Sequence, residues 1–216
     1  MEALALTYDE YVREVLVIHP WKEFDLPRRG RVLEIGSGLG WGLSALRSLG
    51  LDATGIDLKP KGKGILQADA ALLPFRHDSF DGALCLRTLS HVRDDRAVLT
   101  EIARALRPGG FLLLAVGNRQ SYTLLRLRQK LPSVTPNPED RYYHLYGRNE
   151  IRSALEAAGF RIANLRSCHY IPRGLGGAAL WRHRTPKRLA QDDAAIGRNP
   201  LLGLVGPLQL VHGVKR

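Results

Sequence analysis

The chain has 216 residues, with 32 Lys and Arg against 21 Asp and Glu, a net charge of +11 and 44% hydrophobic residues. That length suits one α/β domain with a substantial core, and the composition is that of an ordinary globule rather than a disordered or fibrous chain. No apolar run is long enough to span a bilayer, no basic stretch leads into an apolar core at the N-terminus, and Cys85 and Cys168 have no metal-like spacing, so a membrane span, a secretory signal and a metal site are not expected and the cytoplasm is the expected compartment.

The charge is uneven. Residues 1–116 hold 15 basic and 15 acidic side chains and residues 117–216 hold 17 and 6, so the second part carries the whole excess. A basic half attracts anions: a phosphorylated small molecule, a lipid headgroup or RNA. An arginine-rich proteome would leave the same excess with no partner at all.

Residues 4–18 predict an amphipathic helix, with Leu6, Tyr11, Val15 and Ile18 at roughly helical intervals. His19-Pro20 is expected to break it, and 21–30 to form a linker. The next stretch, RVLEIGSGLGWGL over 31–43, organises the rest of the chain. Its apolar residues read as a buried strand, Gly36, Gly38 and Gly40 as a turn, and Leu43 and Leu46 as the start of a helix. A glycine-rich turn between strand and helix lets a ligand approach bare backbone. The spacing is one residue shorter than the dinucleotide fingerprint, and glycine turns also end ordinary strands.

A second strand over 51–58 ends at Asp57, 17 residues after Gly40, and a third over 64–68 ends at Asp69-Ala70. A carboxylate at the tip of the second strand can accept hydrogen bonds from both hydroxyls of a ribose, and one at the third from an adenine amino group. Lys59, Lys61 and Lys63 between them read as a solvated loop. A fourth strand over 82–86 leads into Arg87, Thr88, Leu89, Ser90 and His91. A cation such as Arg87 facing a cleft suits an anionic substrate, or pairs with Asp94 or Asp95.

A helix is predicted over 98–106, a turn over 107–110, a fifth strand over 111–116 and a basic helix over 119–130. Residues 131–146 hold three prolines and the cluster Arg141-Tyr142-Tyr143-His144, and read as an irregular lid. Tyr142, Tyr143, His144 and Tyr146 either present hydroxyls, rings or a base to a substrate or pack the loop down. A helix over 149–158, a sixth strand over 160–165 and a last strand over 208–214 follow, with a Gly-, Arg- and Pro-rich region over 167–206 between the last two. That region reads as a substrate-binding insertion, an interfacial segment or a partly disordered loop.

The segments VLEIGSGLG, GIDL, QADAALLPF, DSFDGALCLRTLSHV and EIARALRPGGFLLLAV resemble the class I S-adenosylmethionine-dependent methyltransferases, in the methyltransferase type 11 branch. The resemblance covers 32–116 and is thinner through HLYGRNEIRSALEAAGF. It implies a Rossmann-like α/β fold: a seven-stranded, mostly parallel sheet with helices on both faces and an antiparallel last strand. It implies one methyltransferase domain over 1–216, with an N-terminal helix and linker (1–30), a cofactor-binding core (31–116), a lid (117–147) and a substrate-side region (148–216). The helix that many relatives carry between the second and third strands is reduced or missing here.

By the same resemblance the cofactor is S-adenosyl-L-methionine, giving S-adenosyl-L-homocysteine, and its binding residues are Glu34, Gly36, Ser37, Gly38, Gly40, Asp57, Leu58, Asp69, Ala70 and Arg87. Glu34 would lie beneath the glycine loop and orient the amino group, and Leu58 would lie against the adenine. Tyr11, Arg87, His91, Arg141, Tyr142 and Tyr146 are the candidate substrate contacts. No catalytic base is assigned; the candidates are His91, Tyr143 and His144, the first standing where the family commonly has a histidine that bonds backbone. The Asn/Asp-Pro-Pro-aromatic run of enzymes that methylate exocyclic amino groups is replaced by LRTL, and the cysteine pair for attack on pyrimidine carbon is absent. The reading is therefore methyl transfer to a small-molecule or lipid-intermediate acceptor, anionic in character. The alternatives are an RNA (tRNA) methyltransferase and a non-catalytic regulator that binds the cofactor. Oligomeric state is not legible.

Overall fold

The computed structural model describes residues 7–121, 144–168, 186–199 and 206–216. Seven strands form one sheet: β1 (Arg31–Ile35), β2 (Asp52–Asp57), β3 (Ile65–Gln67), β4 (Phe80–Leu86), β5 (Leu106–Gly117), β6 (Phe160–Cys168) and β7 (Leu208–Lys215). Their order is β3-β2-β1-β4-β5-β7-β6; β7 runs antiparallel to both its neighbours and the other pairings are parallel. The order reverses between β1 and β4, so the connections leaving them diverge and a crevice opens beyond their carboxyl ends.

Side chains alternate across this sheet because successive residues of a strand point to opposite faces. Leu33, Ile35, Ala83, Cys85, Leu112 and Leu114 enter one core, closed by α4 (Asp95–Ala105) and α5 (Arg148–Ala157). Val32, Leu84, Leu113 and Ala115 enter the other, closed by α3 (Trp41–Ser48), the N-terminal segment and α6 (Pro186–Arg198). Both faces are covered, which is why β1, β4 and β5 are nearly continuous apolar runs.

The N-terminal segment departs from expectation. After α1 (Tyr8–Tyr11) the chain winds as a π-helix over Val12–Ile18 and continues into α2 (His19–Glu23). Pro20 does not break it, because it falls in the first turn of α2, where its missing N–H has no partner to lose. Trp21 is buried edge-on against Phe111, with ring centroids 5.1 Å apart, and its indole N–H donates to the Pro27 carbonyl at 2.8 Å.

Turns alone join β2 to β3, as the short spacing predicted. The turn expected over 107–110 is a bulge inside β5: Leu106 pairs with Phe80 and Phe111 with Gly82. β6 runs three residues beyond the predicted end, to Cys168. The region read as an insertion or disordered loop contains the ordered α6. Most of the helix expected over 119–130 and of the lid over 131–146 lies outside the described residues. Among the described residues no helix is long and apolar enough to cross a membrane.

Candidate active site

The crevice at the β1/β4 reversal has two lobes. The first, about 550 Å³, is walled by Glu34, Ser37, Gly38, Trp41 and, from the π-helical segment, Val12 and Leu16. The second, about 630 Å³, is walled by Leu58, Ala68, Asp69, Ala70, His91 and Val92. Gly36, Asp57, Lys59, Leu86 and Arg87 border both lobes.

The glycines do different work. Gly36 has φ +73°, and a Cβ there would strike the side chain of Thr88, whose hydroxyl donates to the Ile35 carbonyl at 3.1 Å. Gly38 has φ +51°, and a Cβ there would meet nothing within 4 Å, because the space above it is the cleft. Gly40 borders neither lobe; it begins α3 as its N-cap. Gly42, inside α3, leaves room for Glu34, whose Oε1 a Cβ would hit.

Asp57 is held before any ligand arrives. One carboxylate oxygen accepts from the Gly38 N–H and the other from the Lys59 N–H, each at 2.8 Å. A carboxylate has about four acceptor positions, so each oxygen keeps one for a ligand hydroxyl. Lys61 and Gly62 donate backbone N–H groups to the Gly38 carbonyl at 3.1 and 3.0 Å, so the lysine loop braces the glycine turn. Asp69 accepts from the Ala71 N–H at 2.9 Å beside Ala70, and Leu58 stands 61% exposed on the second lobe.

Glu34 is 3% exposed in the wall of the first lobe. Burial pushes its pKa up to about 7, against the opposing pull of the Ser37 side chain and the Leu43 backbone. Its Oε2 has no hydrogen-bond partner among the described residues. A buried carboxylate oxygen without a partner is costly, and the residue that carries it lines the lobe. Arg87 takes φ +61°, a left-handed conformation rare outside glycine, and its N–H donates to the Ala115 carbonyl at 2.8 Å. The strained turn aims the chain out of β4 at the partition between the lobes. His91, in the 3-10 turn Leu89–His91, is exposed at the second lobe.

Residues 8–165 match the family model described as a methyltransferase domain. The chain belongs to that family. It is a class I S-adenosylmethionine-dependent methyltransferase, whose methyl donor is S-adenosylmethionine and whose product is S-adenosylhomocysteine. The methyltransferase is 27% identical over 172 residues to the ubiquinone biosynthesis O-methyltransferase of Paracidovorax citrulli, a match covering 70% of this chain and 72% of that one. It is 34% identical over 105 residues to O-methyltransferase rstn1 of Aspergillus nomiae, covering 45% and 41%. The structure of an S-adenosylmethionine dependent methyltransferase from Mesorhizobium loti superposes with a TM-score of 0.60 at 19% identity, over 92% of this chain and 99% of that one, which shows the shared fold.

Several residues expected at the site stand elsewhere in the methyltransferase. Tyr146 is 1% exposed, and its hydroxyl donates to Asp95 at 2.9 Å, so it is a core residue and not a substrate contact. Its ring packs edge-to-face with the His144 ring, with centroids 4.5 Å apart. His144 borders neither lobe; its Nε2 lies 2.8 Å from Glu150, which also pairs with Arg119 at 2.7 Å. Burial raises the Glu150 pKa, but the Gly147 N–H, His144 and Arg119 together hold it below its usual value. Arg141, Tyr142, Tyr143 and the side chain of Tyr11 lie outside the described residues. Sequence reasoning missed Val12 and Leu16, which carry no signal beyond apolar periodicity, and the parts played by Thr88 against Gly36 and by Gly42 against Glu34, which depend on contacts between elements.

Proposed function

We propose that this methyltransferase acts on a hydroxyl oxygen of a small-molecule or lipid-intermediate acceptor that carries a negative charge. Two of its relatives are named O-methyltransferases. The observation that carries the anionic part is Arg87, held in a strained backbone conformation on the border of both lobes. A guanidinium is the side chain best suited to a carboxylate or phosphate.

In this reading Glu34, Ser37 and Gly38 hold the amino-acid end of the cofactor, Asp57 the ribose, and Leu58, Asp69 and Ala70 the adenine. The unpartnered Glu34 oxygen supports it, since an ammonium is the group that would satisfy it. When bound, the cofactor supplies a methyl group already activated by a positively charged sulfur. The chain then has to align the acceptor and keep water out, effects worth about 7–11 kcal/mol in favourable cases. Val12, Leu16 and Trp41 wall off water at the first lobe. Arg87 anchors the acceptor's charge, and His91 takes the hydroxyl proton at the second lobe.

The basic half gives less support to an RNA substrate than its charge suggests. Six of its cations are in ion pairs: Arg119 with Glu150, Arg152 with Glu156, Arg166 with Glu23 and Asp193, Arg188 with Asp192, Arg198 with Glu23 and Lys215 with Asp78. A cation paired with a carboxylate attracts a phosphate backbone less than a lone one does, and Arg166 is buried as well. The remaining concentration, seven basic and two acidic residues over 122–143 and 169–185, lies outside the described residues.

Incubation with methyl-labelled cofactor and cell extract, followed by fractionation, tests the proposal. Label is expected in the small-molecule or lipid fraction, and Arg87→Ala should abolish it while cofactor binding persists. Label in RNA, lost steeply as salt is raised, would move the acceptor to nucleic acid. No label in any fraction, from protein that binds the cofactor, would favour a regulator.

A further inference from the structure

On the face of the sheet that carries α3, four charged side chains from three elements meet: Arg166 and Asp193 are buried, the Glu23 side chain is 9% exposed, and the exposed Arg198 closes the cluster at the surface. Arg166 of β6 is 4% exposed, and its Nε donates to Glu23 of α2 at 2.9 Å. Its Nη1 donates to Asp193 of α6 at 3.2 Å and to the Ser167 carbonyl at 3.2 Å. Arg198, at the end of α6, donates to the other oxygen of Glu23 at 2.8 Å. Two cations face two anions, and His19, whose Nε2 lies 3.8 Å from Glu23, has its pKa lowered by burial and so favours its neutral form; none of the four lines either lobe of the cleft.

The cluster is an expensive way to hold a fold together. Charges lose hydration on burial, and apolar side chains of the same size stabilise such a contact as well or better. One Arg166 nitrogen, Nη2, has no hydrogen-bond partner among the described residues, so the desolvation is not even fully offset. What directional ion pairs give, and greasy contacts do not, is a fixed relation between the elements they join. Here they join residues 143 and 175 positions apart in sequence.

The joined element matters for the site. Glu23 ends a continuous helical run whose π-helical part, Val12–Ile18, packs between α3 and α6. Val12 and Leu16 of that part wall the first lobe beside Glu34 and Trp41. A seven-residue π-helix has poorer hydrogen bonding than an α-helix and needs tertiary support to persist. We infer that Glu23, Arg166, Asp193 and Arg198 form an ionic clasp that seats the N-terminal helical run over the first lobe and so sets how tightly the cofactor is retained. The four are positioning residues, acting through Val12 and Leu16. The inference rests on the proposed seating of the cofactor in that lobe.

Binding of S-adenosylhomocysteine to the full chain, by calorimetry and by stopped-flow tryptophan fluorescence, tests it. If breaking the clasp lowers the seated population to about one tenth, the Kd rises about tenfold. Arg166→Met is expected to show this, Arg166→Lys, which keeps the charge but not the two-sided reach, an intermediate value, and Arg198→Met and Glu23→Gln smaller rises of the same kind. Lys215→Met, which removes an ion pair to Asp78 away from the lobe, controls for lost stability and should leave the Kd unchanged. A folded Arg166→Met with wild-type Kd and dissociation rate overturns the clasp. Should Arg166→Met not fold, wild-type binding by both Arg198→Met and Glu23→Gln overturns it. A wild type whose binding ignores Asp57→Ala would instead refute the seating of the cofactor, leaving the two failures distinguishable.

Discussion

Glu34→Gln separates the stability of this protein from its function in a way that can be worked out beforehand. In the unfolded chain the carboxyl loses its proton near 4.5, whereas in the folded protein burial holds it to about 7. Below 4.5 both states keep the proton and the group has no effect on the balance. Between 4.5 and about 7 the folded state binds the proton that the unfolded state has lost, so stability falls as pH rises; above that the penalty is constant. The gap is about two and a half pH units, at about 1.4 kcal/mol each, or roughly 3 kcal/mol as an upper figure. A neutral glutamine escapes that penalty. It leaves an amide in the same tight space, but that effect is the same at every pH. The variant should therefore gain up to about 2.5 kcal/mol on the wild type between pH 5 and pH 8, because part of the penalty is already present at pH 5, or roughly 5–10 °C in relative melting temperature for a chain of this size. It should also lose the cofactor's ammonium, weakening S-adenosylhomocysteine about ten- to a hundredfold. Thermal melts at the two pH values, with calorimetry at pH 8, decide the matter. Parallel melting profiles for the two proteins, or wild-type binding by the variant, would refute the argument.

The other predictions follow from the same geometry. Gly38→Ala faces open cleft and should cost about 1–2 kcal/mol of stability for its left-handed backbone while weakening cofactor binding much more. Gly36→Ala should do the reverse, because its Cβ collides with Thr88 and melting will report that first. Tyr146→Phe should lower stability by about 1 kcal/mol through the lost bond to Asp95 and leave cofactor affinity unchanged, as chemical denaturation and calorimetry will show.

Much of this protein is readable because its functional backbone is local. Strand, glycine turn and acid lie close together along 31–70, and each element follows from apolar runs and turn residues over a few positions. The parts that were misread depend on distant contacts. Tyr146 looks like a lid tyrosine until Asp95 and Leu89, over fifty residues earlier, are seen to take its hydroxyl inward. Pro20 looks like a helix stop because the π-helical stretch before it, which places it in the first turn of α2, is encoded by no local pattern. Arg166 and Arg198 carry no signal of their partner along the sequence, because only the fold brings Glu23 to them.

The central claim is that S-adenosylmethionine sits in the crevice between β1 and β4 with Asp57 on its ribose. Calorimetric titration of S-adenosylhomocysteine into the wild type and Asp57→Ala tests it most directly. We expect micromolar binding to the wild type and a loss of about tenfold or more in the variant, which removes the acceptor now bonded to Gly38 and Lys59. Equal binding by the two proteins, or no binding by well-folded wild type, would contradict it.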